Sequence, residues 1–249
     1  MNLGEPIASG NTANIFLYEN KVIKIFKNHL PDSESTYEAG KQKFAYASGL
    51  RVPKILDVTK VNGKQAIIME YVKGQTLGDL VSEDMDRLEY YLEISVDIQM
   101  AIHKVRADSF ESMSVKLQRQ INSVPCLDEQ VKSSLLQRLG SMDFDDMLCH
   151  GDFHLYNLIK SDEEVTIIDW VDASAGVPRA DVCRTYLLYS QVSMDIADLY
   201  LILYCKKSGV AREEILEWAP MIAAARLSEN VATESQDKLM EIINQHQNS

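Results

Sequence analysis

The sequence predicts an α+β fold with a small β-rich N-terminal lobe, residues 1–72, and a larger, mainly helical lobe, residues 73–249. Three observations predict it. Two hairpin signals flank a single helical stretch in the first 72 residues. Past Gly74 the apolar residues change from strand spacing to helical spacing. One further strand pair, near 158–168, interrupts the helices.

Residues 16–27 read as two β-rich runs around Glu19-Asn20, a hairpin signal. Residues 33–48 carry a helical pattern with Asp32 or Ser33 as N-cap. Residues 54–72 are again two runs, around Asn62-Gly63, a dipeptide that accepts positive φ at both positions. Beyond the composition change at 72–74, which marks the lobe boundary, Leu88, Tyr91, Leu92, Ile98, Ile102 and Val105 share one face of a helix over 86–106. Further helices are expected over 112–124 and 128–140, the second opened by Asp128. Two short strands, 158–160 and 165–168, are joined by the polar turn 161–164. Helices resume near Pro178 and run to the end.

The chain has 249 residues, of which 46% are hydrophobic and 25% charged, ordinary values for a soluble domain with a sizeable core. No apolar run reaches the width of a bilayer, so no membrane span is expected. The opening MNLGEPIASG lacks the basic and apolar stretches of a secretory signal. Cys126, Cys149, Cys183 and Cys205 form no C-x-x-C pair and are expected as reduced thiols of a cytoplasmic protein. A net charge of −12 argues against a nucleic-acid partner. It suits a cationic substrate drawn to an acidic cleft, and equally suits plain solubility.

The chemistry concentrates between Leu148 and Trp170. His150-x-Asp152 is followed by Asn157, and twelve residues on by Asp169 at the end of an apolar run. Phosphoryl transfer needs a group that orients the acceptor hydroxyl and takes its proton, which a carboxylate does. It also needs Mg2+ on the phosphates, and Asp and Asn supply hard oxygen ligands. The pattern therefore reads as Asp152 for the base and Asn157 and Asp169 for the metal. Each residue alone is common; their order on one loop and one strand pair is what carries the reading.

This spacing resembles the kinase set. The dress of the motif, His150-Gly151-Asp152 and Ile167-Ile168-Asp169-Trp170, is similar to the aminoglycoside phosphotransferase and choline kinase-like family of small-molecule kinases. The resemblance implies a two-lobed protein-kinase-like fold with ATP or GTP and Mg2+ as cofactors, the nucleotide lying between the lobes. It implies that Lys24 contacts the α- and β-phosphates and pairs with Glu38, with Glu34 as the rival. Ser9, Gly10 and Asn11 would form a phosphate loop poorer in glycine than that of protein kinases. Adenine would bond to the backbone around Glu70 and Val72, with Met69 nearby. Asp181 would brace the catalytic loop. A P-loop motif is absent.

The implied activity is transfer of the γ-phosphate to a hydroxyl of a small, cationic acceptor such as an aminoglycoside. Choline, thiamine or sugar acceptors fit the same fold, and so does a nucleotide-binding regulator without turnover. A protein kinase is disfavoured: Gly151 stands where protein kinases have Arg, and only eight residues separate Asp169 from Pro178. Neither a nucleic-acid nor a membrane partner is expected, and the oligomeric state is left open.

Overall fold

The computed structural model of the chain describes residues 3–10, 12–162, 164–231 and 234–245. In chain order the strands are β1 (Ala8–Ser9), β2 (Ala13–Tyr18), β3 (Lys21–Phe26), β4 (Ile55–Val61), β5 (Lys64–Glu70), β6 (Gln75–Thr76), β7 (Met147–Cys149), β8 (Leu158–Ser161), β9 (Glu164–Ile167) and β10 (Ser174–Gly176). The helices are α1 (Glu34–Ala47), α2 (Leu77–Glu83), α3 (Leu88–Ile102), α4 (Met113–Ser123), α5 (Glu129–Gly140), α6 (Pro178–Val192), α7 (Met194–Ser208), α8 (Arg212–Leu216), α9 (Ala219–Glu229) and α10 (Gln236–Gln245). The predicted α+β class holds: a β-rich N-terminal part precedes a helical C-terminal part. No helix among the described residues is long and apolar enough to cross a membrane.

One compact unit comprises Met1–Glu83 with Tyr156–Val171. Its antiparallel sheet runs β1-β2-β3-β5-β4. The two hairpin turns are as the sequence suggests: Glu19 and Asn20 both have positive φ, as do Asn62 and Gly63. Alternation along β3 sorts its side chains onto two faces. Val22 and Phe26 pack with Ala39 of α1, Ile67 and Met69, while Ile23 and Ile25 pack with Val61 and Ala66. Lys24 shares its parity with Val22 and Phe26, so its stem is directed to the face that α1 covers. Helix α1 buries Glu38, Ala39, Gln42 and Ala45, one stripe at helical spacing. Ser33 is its N-cap residue, though its side chain makes no capping bond.

The same unit contains β8 and β9, with β6 joined to β8. Gly74 permits that junction, because a Cβ there would stand 2.1 Å from the Lys160 carbonyl oxygen. Compactness thus places the strand pair carrying Asn157 and Asp169 with the N-terminal sheet, in a unit whose first segment runs to Glu83.

The other unit comprises Asp84–Leu155 with Asp172–Ser249. Helix α3 stops at Ile102, short of the expected 106, and Val105 instead accepts a backbone bond from Leu148 of β7. Asp128 caps α5 by accepting from the Val131 amide at 2.8 Å. Pro178 opens α6 at a position where its missing N–H costs nothing. The pairing of β7 with β10 carries no alternation and is invisible in the sequence. Helix α9 is buried along nearly its whole length, Arg226 included.

Candidate active site

The first unit contains a cleft of about 590 Å³, within the size range of small-molecule sites. Val22, Ile15, Met69, Ile159 and Ile168 supply apolar walls. Lys24, Glu38 and Asp169 supply charge. Lys24 Nζ lies 2.6 Å from Glu38 Oε1 and 3.2 Å from Asp169 Oδ1. Glu34, the rival partner, sits one turn earlier and only half-buried. Burial alone would lower the pKa of Lys24, but Asp169 and Glu38 outweigh it and raise it. Burial raises the pKa of Glu38, with Lys24 pulling the other way. Glu38 Oε2 is buried with no hydrogen-bond partner among the described residues.

Glu70 and Val72 line the cleft. The Glu70 amide donates to the Lys54 carbonyl at 3.0 Å and its carboxylate accepts from the Lys54 amide at 3.1 Å. Met69 lines the cleft and also belongs to the core, with Gln42 Nε2 3.7 Å from its sulfur. Ser9 and Gly10 are exposed at the β1–β2 turn; Ser9 Oγ bonds Asn14 Oδ1 at 2.7 Å and the Gly10 amide bonds Ala13 O at 2.9 Å. Their neighbours Ile7 and Ala8 line the cleft. Asn11 lies outside the described residues.

Register brings Asn157 and Asp169 to one end of a hairpin. Leu158 pairs with Ile167, and the Ile168 amide donates to the Asn157 carbonyl at 3.0 Å, so the residues just outside the ladder face each other. Asn157 is buried, whereas the Asp169 side chain is 41% exposed and reaches the cleft. Asp169 has φ 61, a left-handed conformation that costs a non-glycine residue on the order of 1 kcal/mol and concentrates at functional sites. Asp and Asn side-chain oxygens are hard donors of the kind Mg2+ takes; of the two residues, Asp169 lines the cleft and Asn157 is buried beside it in the hairpin register. The apolar walls and the buried ammonium suit a flat base and a phosphate chain.

Asp152 belongs to the second unit, in the loop after β7. Its carboxylate is partly exposed, with His154 Nε2 at 3.5 Å and Arg226 Nη1 at 4.0 Å. Burial works against its charge, yet His154, Arg184 and His150 together hold its pKa well below the usual carboxylate range. Asp181 braces the loop. It accepts from the Gly151 amide at 2.8 Å and the His150 amide at 3.3 Å. Gln99 Nε2 at 3.2 Å and His103 Nε2 at 2.9 Å complete its partners. Burial pushes its pKa up, but His103 and the Gly151 amide prevail and lower it to about 2. Buried Cys149 adjoins His103 and Asp181, within reach of a shared metal ion. The four donors already on Asp181 make this grouping a brace. Gly151 has φ +79, and a Cβ there would meet the Asp172 carbonyl oxygen at 2.4 Å. Only glycine fits.

Several residues of these sites escaped the sequence reading. Lys41, on α1, is buried and donates to the Val171 carbonyl at 2.6 Å. Lys116 donates to the Asp172 carbonyl and carboxylate at 2.7 and 2.9 Å. Arg184 and Arg226 are buried among carboxylates. The available signal was an arginine inside the apolar run Ala223–Ala224–Ala225, Arg226, Leu227, where a charge needs a partner.

A family model described as the phosphotransferase enzyme family matches residues 4–218. A thermostable mutant of aminoglycoside phosphotransferase APH(4)-Ia superimposes with a TM-score of 0.71 at 15% identity, covering 97% of this chain and 94% of that one. Another structure of that enzyme holds AMP-PNP and hygromycin B. The choline kinase LicA from Streptococcus pneumoniae gives a TM-score of 0.68 at 17% identity, covering 97% and 92%. At these identities the likeness establishes the kinase-like fold. Acyl-CoA dehydrogenase family member 11 of Rattus norvegicus is 21% identical over 210 residues, 68% of this chain and 27% of the relative. The chain thus spans about a quarter of the length of the curated relatives it matches.

Proposed function

The chain belongs to the phosphotransferase enzyme family, and from that premise we propose that it moves the γ-phosphate of ATP, or of GTP, to a hydroxyl of a small, cationic molecule such as an aminoglycoside. The observation that carries this reading is the cleft in which Lys24, held by Glu38, stands beside a half-exposed Asp169. Residues 1–72 would be the nucleotide lobe and residues 73–249 the catalytic and acceptor-binding lobe. The four free cysteines, two of them fully buried, suit a cytoplasmic setting.

In this reading Lys24 holds the α- and β-phosphates as a fixed point charge. Glu38 keeps its ammonium in place across the β3–α1 interface. The backbone around Glu70 and Val72 takes the base, and Ser9 and Gly10 of the β1–β2 turn cover the phosphates. Asn157 and Asp169 would hold Mg2+, which supplies charge neutralisation on the β- and γ-phosphates. Asp152 is ionised at any working pH and accepts a hydrogen bond from the acceptor hydroxyl. As the new bond from that oxygen to the γ-phosphorus forms, the bond to the β,γ-bridging oxygen breaks, the diphosphate leaves, and the hydroxyl proton passes to Asp152. Asp152 thus serves both to orient the acceptor hydroxyl and to take its proton.

A second reading has a specific observation behind it. The acids near Asp152 are already paired: Asp172 with Lys116, Glu229 with Arg184 and Arg226, and Glu234 with Arg226. That favours a neutral acceptor such as a sugar over a polycation. Coupled nucleotide turnover with Mg2+ against aminoglycosides, choline, thiamine and sugars tests both readings. Acceptor-dependent turnover is expected, falling roughly 10²–10⁴-fold in Asp152→Ala. ATP binding without turnover on any acceptor would leave a nucleotide-binding regulator in place of an enzyme.

A further inference from the structure

Beside Asp152, within the second unit, lies a closed network of charge on α9 and the segment after it. Arg226 Nη1 is 4.0 Å from Asp152 Oδ1 and 2.9 Å from Glu229 Oε2. The other edge of the same guanidinium, Nε and Nη2, forks onto the two carboxylate oxygens of Glu234. Glu229 in turn accepts both Nη atoms of Arg184, at 2.8 and 3.0 Å, and Gln120 Nε2 at 3.0 Å. Arg226 is 5% exposed. Such a group does not reach out for a solvent-borne ligand. Its three nitrogens are engaged by protein carboxylates, and Nη1, which bonds Glu229, is also the atom that approaches Asp152. A buried guanidinium this tightly held has one orientation, so the field it casts on Asp152 is fixed in direction as well as in sign. The residues of this network on α9 and beyond it lie after the stretch 4–218 that the family model matches.

We propose that Arg226 is a positioning residue for phosphoryl transfer, with Glu229 and Glu234 as its clamps, fixing the rotamer of the Asp152 carboxylate from a helix outside the family-matched stretch. The inference rests on the assignment of Asp152 made above. A carboxylate that must hold an acceptor hydroxyl in line with phosphorus gains from a neighbour that cannot move. Arg226 acts through Asp152 and touches no substrate.

The test compares wild type with Arg226→Met, Arg226→Lys and Glu234→Gln in Mg2+-ATP turnover, with the acceptor that the panel above identifies, or with water if ATP hydrolysis alone is measurable. Melting temperature is recorded for each. Expected for Arg226→Met is a fall in kcat on the order of 10- to 100-fold, with KM for ATP changed less than about threefold. Arg226→Lys should recover part of the loss, and Glu234→Gln should show a smaller fall of the same kind. If Arg226→Met does not fold, the kcat-to-KM split in Glu234→Gln and Arg226→Lys decides. A kcat within about twofold of wild type in folded Arg226→Met, or in the other two where Arg226→Met does not fold, overturns the proposal. So does a loss of kcat matched in proportion by a rise in KM. Absence of turnover in wild type strikes the functional reading itself, which separates the two failures.

Discussion

Asp169 and Asp181 are twelve residues apart and oppositely furnished. Asp181 is 1% exposed and draws four donors from the protein: two loop amides, an amide side chain and an imidazole. Asp169 is 41% exposed, shares a single ammonium with Glu38, and sits in a left-handed conformation. A carboxylate whose lone pairs are filled from within has finished its work when the chain folds. One that is strained and only partly paired retains capacity for something from outside. The contrast marks Asp181 as a structural acid and Asp169 as the candidate for a functional one, and the left-handed conformation falls on that candidate.

The sharpest way to break that contrast is to remove the charge from each in turn. Asp169→Asn should cut turnover by about 10²–10⁴-fold, abolish the Mg2+-dependent part of thermal stabilisation by ATP, and leave the melting temperature of the free protein nearly unchanged. Asp181→Ala should do the reverse, destabilising the fold by about 3–5 kcal/mol because buried donors lose their partner. If denaturant titration ranks the two variants the other way round, the division of labour is wrong.

Gly151→Ala should be milder. Its Cβ meets the Asp172 carbonyl and its φ is positive, so a loss of about 1–3 kcal/mol is expected in chemical denaturation. The smallest effect concerns acid. The pKa of Asp181 is depressed from 3.8 to about 2, so its contribution to stability is complete above pH 4 and fades as pH falls toward 2. Asp181→Asn should therefore flatten the acid limb of a stability–pH curve between about pH 4 and pH 2. An unchanged slope there would mean that the brace does not depend on its charge.

Much of this was legible in the sequence because the signals were local. Asn62-Gly63 fixed a turn, alternation in β3 set the parity of Lys24, and the spacing from Asp152 to Asn157 and Asp169 is set within one loop and one hairpin. The choice of Glu38 over Glu34 also came out, since only the former faces the sheet. What escaped was non-local or very short. The β7–β10 pair spans three residues on each side, too few to alternate. The pairing of β6 with β8 is just two residues long. The charge network around Arg226 joins residues more than a hundred positions apart in sequence, and no periodicity announces such a partnership.

The seat of Gly151 against Asp172 bears on how such a protein can be controlled. Protein kinases carry an arginine at this point of the motif, and arginine–phosphate pairs are what order their activation loops. Here a backbone oxygen occupies the space where even the first carbon of that side chain would begin. A phosphate placed elsewhere on this chain would find no guanidinium at position 151 to receive it.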